Sequence, residues 1–138
     1  MTAGRLRRAL LPALVAYAAA SLFHHVHNAT YLAAYPNLPA WLSPGEVYLA
    51  WALVTCVGVA GYWLLRQGHA AAGLALLGGY AVLGFTGLDH YARAPLSAHS
   101  PMMNLSIGGE VLTALVLLVV VAANLAVLPR ARAGVHPG

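Results

Sequence analysis

The stretch ALLPALVAYAAASLFHHVHN, residues 9–28, joins an uncharged apolar run to three histidines and an asparagine. A helix needs about 20 predominantly apolar residues to cross a bilayer, and the uncharged run 9–23 is shorter than that. A helix that spans a membrane here therefore carries the histidines inside or at the edge of the hydrocarbon. Polar side chains at that depth are costly and usually serve a function.

The histidines are not equivalent on a helix. His24, His27, Asn28 and Tyr31 follow the spacing i, i+3, i+4, i+7, which places them on one helical face. His25 is off this spacing and is predicted to point elsewhere. The sequence thus predicts one polar face near the outer end of the first helix.

Composition indicates a membrane protein. Of the 138 residues, 61% are hydrophobic and only 7% are charged, whereas a soluble domain has a surface rich in charged residues. Four apolar segments are separated by short loops, and no repeat or second domain is visible. We predict an all-α, integral membrane four-helix bundle in one domain, 1–138. The predicted helices are 6–34, 44–65, 70–90 and 101–128.

Helix boundaries follow from local signals. The proline-containing segment 35–42 forms a first outer loop, since proline ends helices. Ser43 and Glu46 fit a capping box that opens the second helix. Residues 66–69 predict a tight turn, and 89–99 a second outer loop.

The basic residues predict the orientation of the chain. All seven are arginines, which is typical of a GC-rich bacterial genome, and only Arg93 falls on the outer side. The positive-inside rule makes the opposite side cytoplasmic, so both termini are predicted there, in a bacterial plasma (inner) membrane. The arginines predicted on the cytoplasmic side are Arg5, Arg7, Arg8, Arg66, Arg130 and Arg132.

The sequence also bears on three other possibilities: a cleaved signal peptide, thiol redox chemistry and nucleic-acid binding. The N-terminal segment also resembles a secretory signal peptide with a small-residue cleavage site at 18–20, but the helical pattern continues past it, and we expect an uncleaved span. The single cysteine, Cys56, excludes a CxxC redox mechanism. The net charge of +4 comes from arginines at helix ends, and no nucleic-acid partner is expected.

The ionisable groups on the predicted outer side favour a metal site. Imidazoles and carboxylates are common ligands of zinc, copper and iron, and helix bundles project such groups inward. The predicted metal ligands are His24, His27, His90 and His99, with Glu110 and Asp89 as catalytic groups. The chemistry would be redox or hydrolytic, on a small or lipidic substrate. Coordination by Met102 or Met103 would favour copper, and haem is not expected because its ligands usually lie deeper in a span.

Other hypotheses stay open, and the sequence does not decide whether the protein is an enzyme. A His/carboxylate pair could perform metal-free acid–base chemistry on a lipid-soluble substrate. Alternatively, the polar cluster could only fix helix packing in a non-catalytic subunit of a larger membrane complex, and transport would need a homo-oligomer or partner. Simpler roles are a capping box for Glu46, a helix-end ion pair between Asp89 and Arg93, and solvation of His99. Expected partners are the lipid bilayer and a small-molecule or lipid ligand.

Overall fold

The chain is helical throughout its described part. The computed structural model describes the backbone of residues 3–133 and the side chains of residues 8–128. Within that part there is no strand. The α-helices are α1 (Ala3–Thr30), α2 (Pro44–Arg66), α3 (Ala70–Leu83), α4 (Asp89–Arg93) and α5 (Pro101–Ala133), with 3-10 turns at Leu32–Ala34, Gly84–Leu88 and Leu96–Ala98.

Four helical segments within the described residues are long and apolar enough to cross a membrane. They are Arg8–Thr30, Pro44–Arg66, Ala70–Arg93 and Pro101–Leu128. The predicted all-α architecture with four apolar helices is therefore confirmed, and it is compatible with a multi-pass membrane protein. The side chains of four arginines used to predict the orientation, Arg5, Arg7, Arg130 and Arg132, lie outside the described residues.

Two predicted local signals are present. The Ser43 backbone N–H donates to Glu46 Oε2 over 2.6 Å, and the Glu46 N–H donates to Ser43 Oγ over 3.4 Å, so the capping box starts α2. Gly68 has a φ of 86° in the turn between α2 and α3, a conformation that glycine adopts without strain.

The C-terminal ends of α1 and α5 differ from the predicted ones. The first α-helix ends at Thr30 and is followed by a 3-10 turn, instead of continuing to residue 34. The last helix passes through Pro129 to Ala133, instead of ending at residue 128. A proline removes one backbone hydrogen bond, and this loss falls close to the end of a 33-residue helix.

The third span is not one regular helix. The predicted helix 70–90 is α-helical to Leu83, continues as a 3-10 turn over Gly84–Leu88, and resumes as α4 to Arg93. A Cβ atom at Gly84 would lie 2.6 Å from Tyr17 Oη, and one at Gly87 would lie 3.3 Å from Glu110 Oε2. The irregular turn therefore lies where the third span approaches a tyrosine of α1 and the carboxylate of α5. Such 3-10 segments within helices often mark functional sites.

The spans pack as a closed ring. Helix α1 contacts α2 and α5, and α3 contacts α2 and α5, so each span has two neighbours. The apolar core at the centre is formed by residues that share nearly complete burial, among them Tyr17, Leu77, Tyr80, Leu117 and Val121. A smaller cluster of Tyr35, Met103 and Ile107 lies beside the polar residues described next.

Candidate functional site

Four histidines from three parts of the chain lie next to one another. The ring centroid of His24 is 5.5 Å from that of His25 and 5.4 Å from that of His90. The His90 ring is in turn 6.2 Å from the His99 ring. His24, His90 and His99 are buried, and His25 is partly buried. One end of the bundle therefore contains imidazoles from α1, α4 and the loop before α5.

Glu110 of α5 lies against two of these histidines. Its Oε2 is 3.7 Å from His24 Nε2 and its Oε1 is 3.8 Å from His25 Nδ1. The carboxylate side chain is only 4% exposed. Gly87 faces it from the 3-10 turn, and the missing side chain there leaves room for Oε2. The fold thus brings Glu110 of α5 against two histidines of α1.

The hydrogen bonds of His24 determine where its proton lies. The Ser106 hydroxyl donates to the carbonyl of Met103 over 2.9 Å, so its oxygen accepts from His24 Nδ1 at 3.3 Å. A neutral His24 then presents the Nε2 lone pair to Glu110 Oε2. Two acceptors facing each other in a buried site repel, because each needs a donor. A proton on either group removes this conflict.

His25 and His99 are oriented in the same way. His25 Nδ1 donates to the carbonyl of Ser21 over 2.9 Å, and His99 Nδ1 donates to the carbonyl of Pro95 over 3.1 Å. Because a carbonyl only accepts, Nε2 of each ring is the unprotonated nitrogen in the neutral state. His99 Nε2 is buried and has no hydrogen-bond partner among the described residues.

His90 is left with an unused donor. Asn28 Nδ2 donates to His90 Nε2 over 3.2 Å, so the ring proton is on Nδ1. His90 Nδ1 and Asn28 Oδ1 are both buried without a hydrogen-bond partner in the described part of the chain. Buried polar groups are nearly always satisfied by protein, water or ligand. One unused donor and two unused acceptors, on His90, His99 and Asn28, thus occur at the same end of the bundle.

Tyr35 extends the cluster toward His27. Its hydroxyl is 2.9 Å from His27 Nδ1, and its ring centroid is 4.9 Å from that of His90. Burial raises the pKa of the Tyr35 hydroxyl, so the phenol stays protonated and can donate a hydrogen bond to His27. His27 is only partly buried and joins the buried histidines through this tyrosine.

Two asparagines hold the loops at this end of the bundle in place. Asn104 Nδ2 donates to the carbonyls of Leu96 and His99 over 3.2 and 3.3 Å, and Asn104 Oδ1 accepts from Tyr91. Asn37 Nδ2 donates to the carbonyl of Arg93 over 2.8 Å and ties the two loops together. These contacts hold His99 inside the bundle rather than in solvent.

Not every predicted site residue joins the cluster. Asp89 and Met102 are exposed, and Met103 packs in the small apolar cluster. Among the described side chains, the contacts within 4 Å between a carboxylate and a basic nitrogen are those of Glu110 with His24 and with His25, so the predicted pair of Asp89 with Arg93 is not formed. The catalytic and metal-binding roles assigned to these residues stay predictions.

Several participants were missed by sequence reasoning. His25 was predicted to point away, yet its Nδ1 lies 3.8 Å from Glu110 Oε1. Ser106, Tyr35 and Asn104 were not among the predicted site residues. The one available signal was that Ser106 lies four residues before Glu110 and shares its helical face.

No group of three or more His, Cys, Asp or Glu side chains within the described part of the chain is placed to hold a metal ion. What the arrangement contains is a buried carboxyl–imidazole pair with further imidazoles beside it.

The fold and the site define a class of protein. Its described part is helical, has four segments long enough to cross a membrane, and contains a buried His/Glu cluster at one end. Comparison with protein-family models, with curated proteins and with solved structures found no match to this chain.

Proposed function

We propose that this chain is a multi-pass protein of a bacterial plasma membrane, with both termini cytoplasmic, that performs acid–base chemistry on a small or lipid-soluble molecule. The reacting groups are Glu110 and His24. The observation that carries the proposal is the 3.7 Å approach of His24 Nε2 to Glu110 Oε2, with Nδ1 already bonded to Ser106. The pair shares a proton that either group can release.

The surrounding histidines suit substrate binding. His90 Nδ1–H is a donor and His99 Nε2 an acceptor, and both are buried and unused. A substrate with one acceptor and one donor group would satisfy both. Asp89, exposed at the start of α4 beside His90, is the group that would exchange protons with the outer solution. General acid–base catalysis needs these groups within hydrogen-bond reach of the substrate.

Infrared spectroscopy of the purified protein tests proton exchange at Glu110. The C=O stretching band of a protonated Glu110 is identified by its loss in Glu110→Gln, which keeps the side-chain shape. We expect this band to change intensity reversibly with bulk pH and to shift in deuterated water, because an acid–base site must exchange its proton. His24→Gln is expected to move the midpoint of the transition.

The matched control is Glu46→Gln, which changes an exposed carboxylate in the capping box of α2 and should leave the Glu110 band unaltered. A Glu110 band whose intensity does not change with pH and whose position does not shift in deuterated water would refute acid–base exchange. The cluster would then only fix helix packing.

A second candidate is binding of zinc, copper or iron by the histidine cluster. It is favoured by the orientation of His99, whose Nδ1 donates to a backbone carbonyl while Nε2 is buried and unused. This is the usual arrangement of metal-binding histidines. His24, His27 and His90 are the further proposed ligands, and binding would require their rings to rotate toward a common point.

Elemental analysis of gently purified protein tests this candidate. We expect about one metal ion per chain if it is correct, and loss of most of that metal in His99→Ala, because each ligand contributes strongly to affinity. His69→Ala, an exposed histidine at the opposite end of α2 and α3, should keep the metal. An equally low metal content in all three proteins would contradict metal binding and leave acid–base chemistry as the remaining proposal.

A further inference from the structure

The opposite end of the bundle contains a cavity with a different chemistry. It has a volume of about 480 Å³ and lies between the ends of α1, α2, α3 and α5. Its lining includes Arg8 and Arg66, the Tyr62 hydroxyl and an apolar floor. The apolar residues of that floor include Leu10, Leu65, Leu74 and Leu128.

Within the described residues the two arginines have no carboxylate partner. The close contacts there between a carboxylate and a basic side chain involve only Glu110 at the other end, while Arg66 approaches Tyr62 Oη at 3.5 Å. Glu46 and Arg66 are 20 positions apart on one helix, which corresponds to about 30 Å. Two guanidinium groups thus border one cavity, and no carboxylate of residues 8–128 pairs with them.

A second cavity continues from the first along the side of the bundle. It has a volume of about 600 Å³ and shares Tyr62 and Arg66 with the first cavity. Its walls are apolar residues of α1 and α2, among them Leu14, Val15, Ala18, Val59 and Trp63. Away from Arg66 the groove is lined by Thr55, Gly58 and Tyr80, and the buried Tyr80 hydroxyl has no hydrogen-bond partner among the described residues.

We propose that the two cavities form a binding site for one acidic phospholipid. Its phosphate lies between Arg8 and Arg66, and one acyl chain follows the groove between α1 and α2. Arginine binds phosphate through paired N–H donors, and the groove supplies an apolar path that begins at Arg66. Acidic lipids are characteristic of the cytoplasmic leaflet, the side on which both arginines are predicted.

The head-group contact is tested with phosphatidylglycerol and phosphatidylcholine of identical acyl chains, titrated onto the detergent-purified protein and counted by native mass spectrometry. We expect one tightly retained phosphatidylglycerol, and about tenfold weaker retention in Arg66→Gln, the size expected for a lost charge-assisted hydrogen bond. Arg93→Gln changes an exposed arginine at the other end and should bind as wild type does. Equal retention of both lipids, or equal loss in both variants, would overturn the proposal.

The acyl-chain contact is tested by filling the groove. Ala18 lines it, whereas its neighbour Ala19 does not and is exposed. Ala18→Phe should displace phosphatidylglycerol, and Ala19→Phe should not. Val59→Phe, from the α2 side, should repeat the Ala18→Phe result if that variant folds poorly. If inorganic phosphate competed as effectively as the lipid and Ala18→Phe had no effect, the arginines would instead bind a free anion. That result would refute the lipid site.

Discussion

Replacement of Glu110 with alanine is expected to lower the free energy of unfolding by about 3 kcal/mol. The change removes a buried carboxyl and leaves His24 Nε2 without its facing group, and breaking a buried ionic or hydrogen-bonded pair costs about 3–5 kcal/mol. The cavity left by the missing side chain adds to this loss. Unfolding in mixed detergent micelles, followed by circular dichroism, provides the measurement.

Glu110→Gln should be much milder, because the glutamine amide fits the same space and can donate to His24 Nε2. Asp89→Ala is the matched control at an exposed carboxylate and should change stability by less than about 0.5 kcal/mol. If Glu110→Ala were as mild as Asp89→Ala, the His24–Glu110 contact would contribute nothing to the fold.

Replacement of Gly73 with alanine is expected to destabilise the contact between α2 and α3 by about 2 kcal/mol. A Cβ atom there would lie 2.7 Å from the Leu65 backbone N and 2.8 Å from the Gly61 carbonyl oxygen. Backbone atoms cannot move aside as a flexible side chain can, so the helices must separate. Overpacking of this kind typically costs 1–3 kcal/mol, about the range expected here.

The control for Gly73 lies on the same helix. Gly79 is exposed, and nothing lies within 4 Å of the Cβ atom that alanine would add. Gly79→Ala should therefore be neutral or stabilise the helix by up to about 1 kcal/mol, the propensity difference between the two residues. Thermal unfolding of both variants in one detergent measures the contrast, and equal melting temperatures would contradict close packing at Gly73.

The helices were predictable because their signals are local. The apolar runs give the four spans, the capping box of Ser43 and Glu46 starts α2, and Gly68 allows the turn before α3. These features depend on neighbours a few residues away. The 3-10 turn at Gly84–Leu88 was not predictable, since it accompanies the approach of Tyr17 and Glu110 from two other helices.

From the sequence, the candidate site could be predicted only as a group of polar and ionisable residues at a similar depth in the membrane. Helical spacing placed His24 on a polar face, and the cost of a carboxylate in a span demanded a partner for Glu110. Spacing also assigned His25 to another direction, yet His25 reaches Glu110. A histidine at the edge of a helical face can turn toward a neighbouring helix, and the position of that helix is not encoded locally.

The sequence by itself determined an all-helical chain with four apolar segments and polar groups concentrated near one end, because hydrophobicity and helix signals act over a few residues. Only the tertiary structure decided which polar groups meet. It buried His99, for which the sequence left both a ligand role and solvation open, and Asn104 holds the loop backbone there. It left Asp89 exposed, although His90 beside it is buried. The packing of α1 against α5 brings residues 24 and 110 together, and such long-range contacts arise from the fit of whole helices.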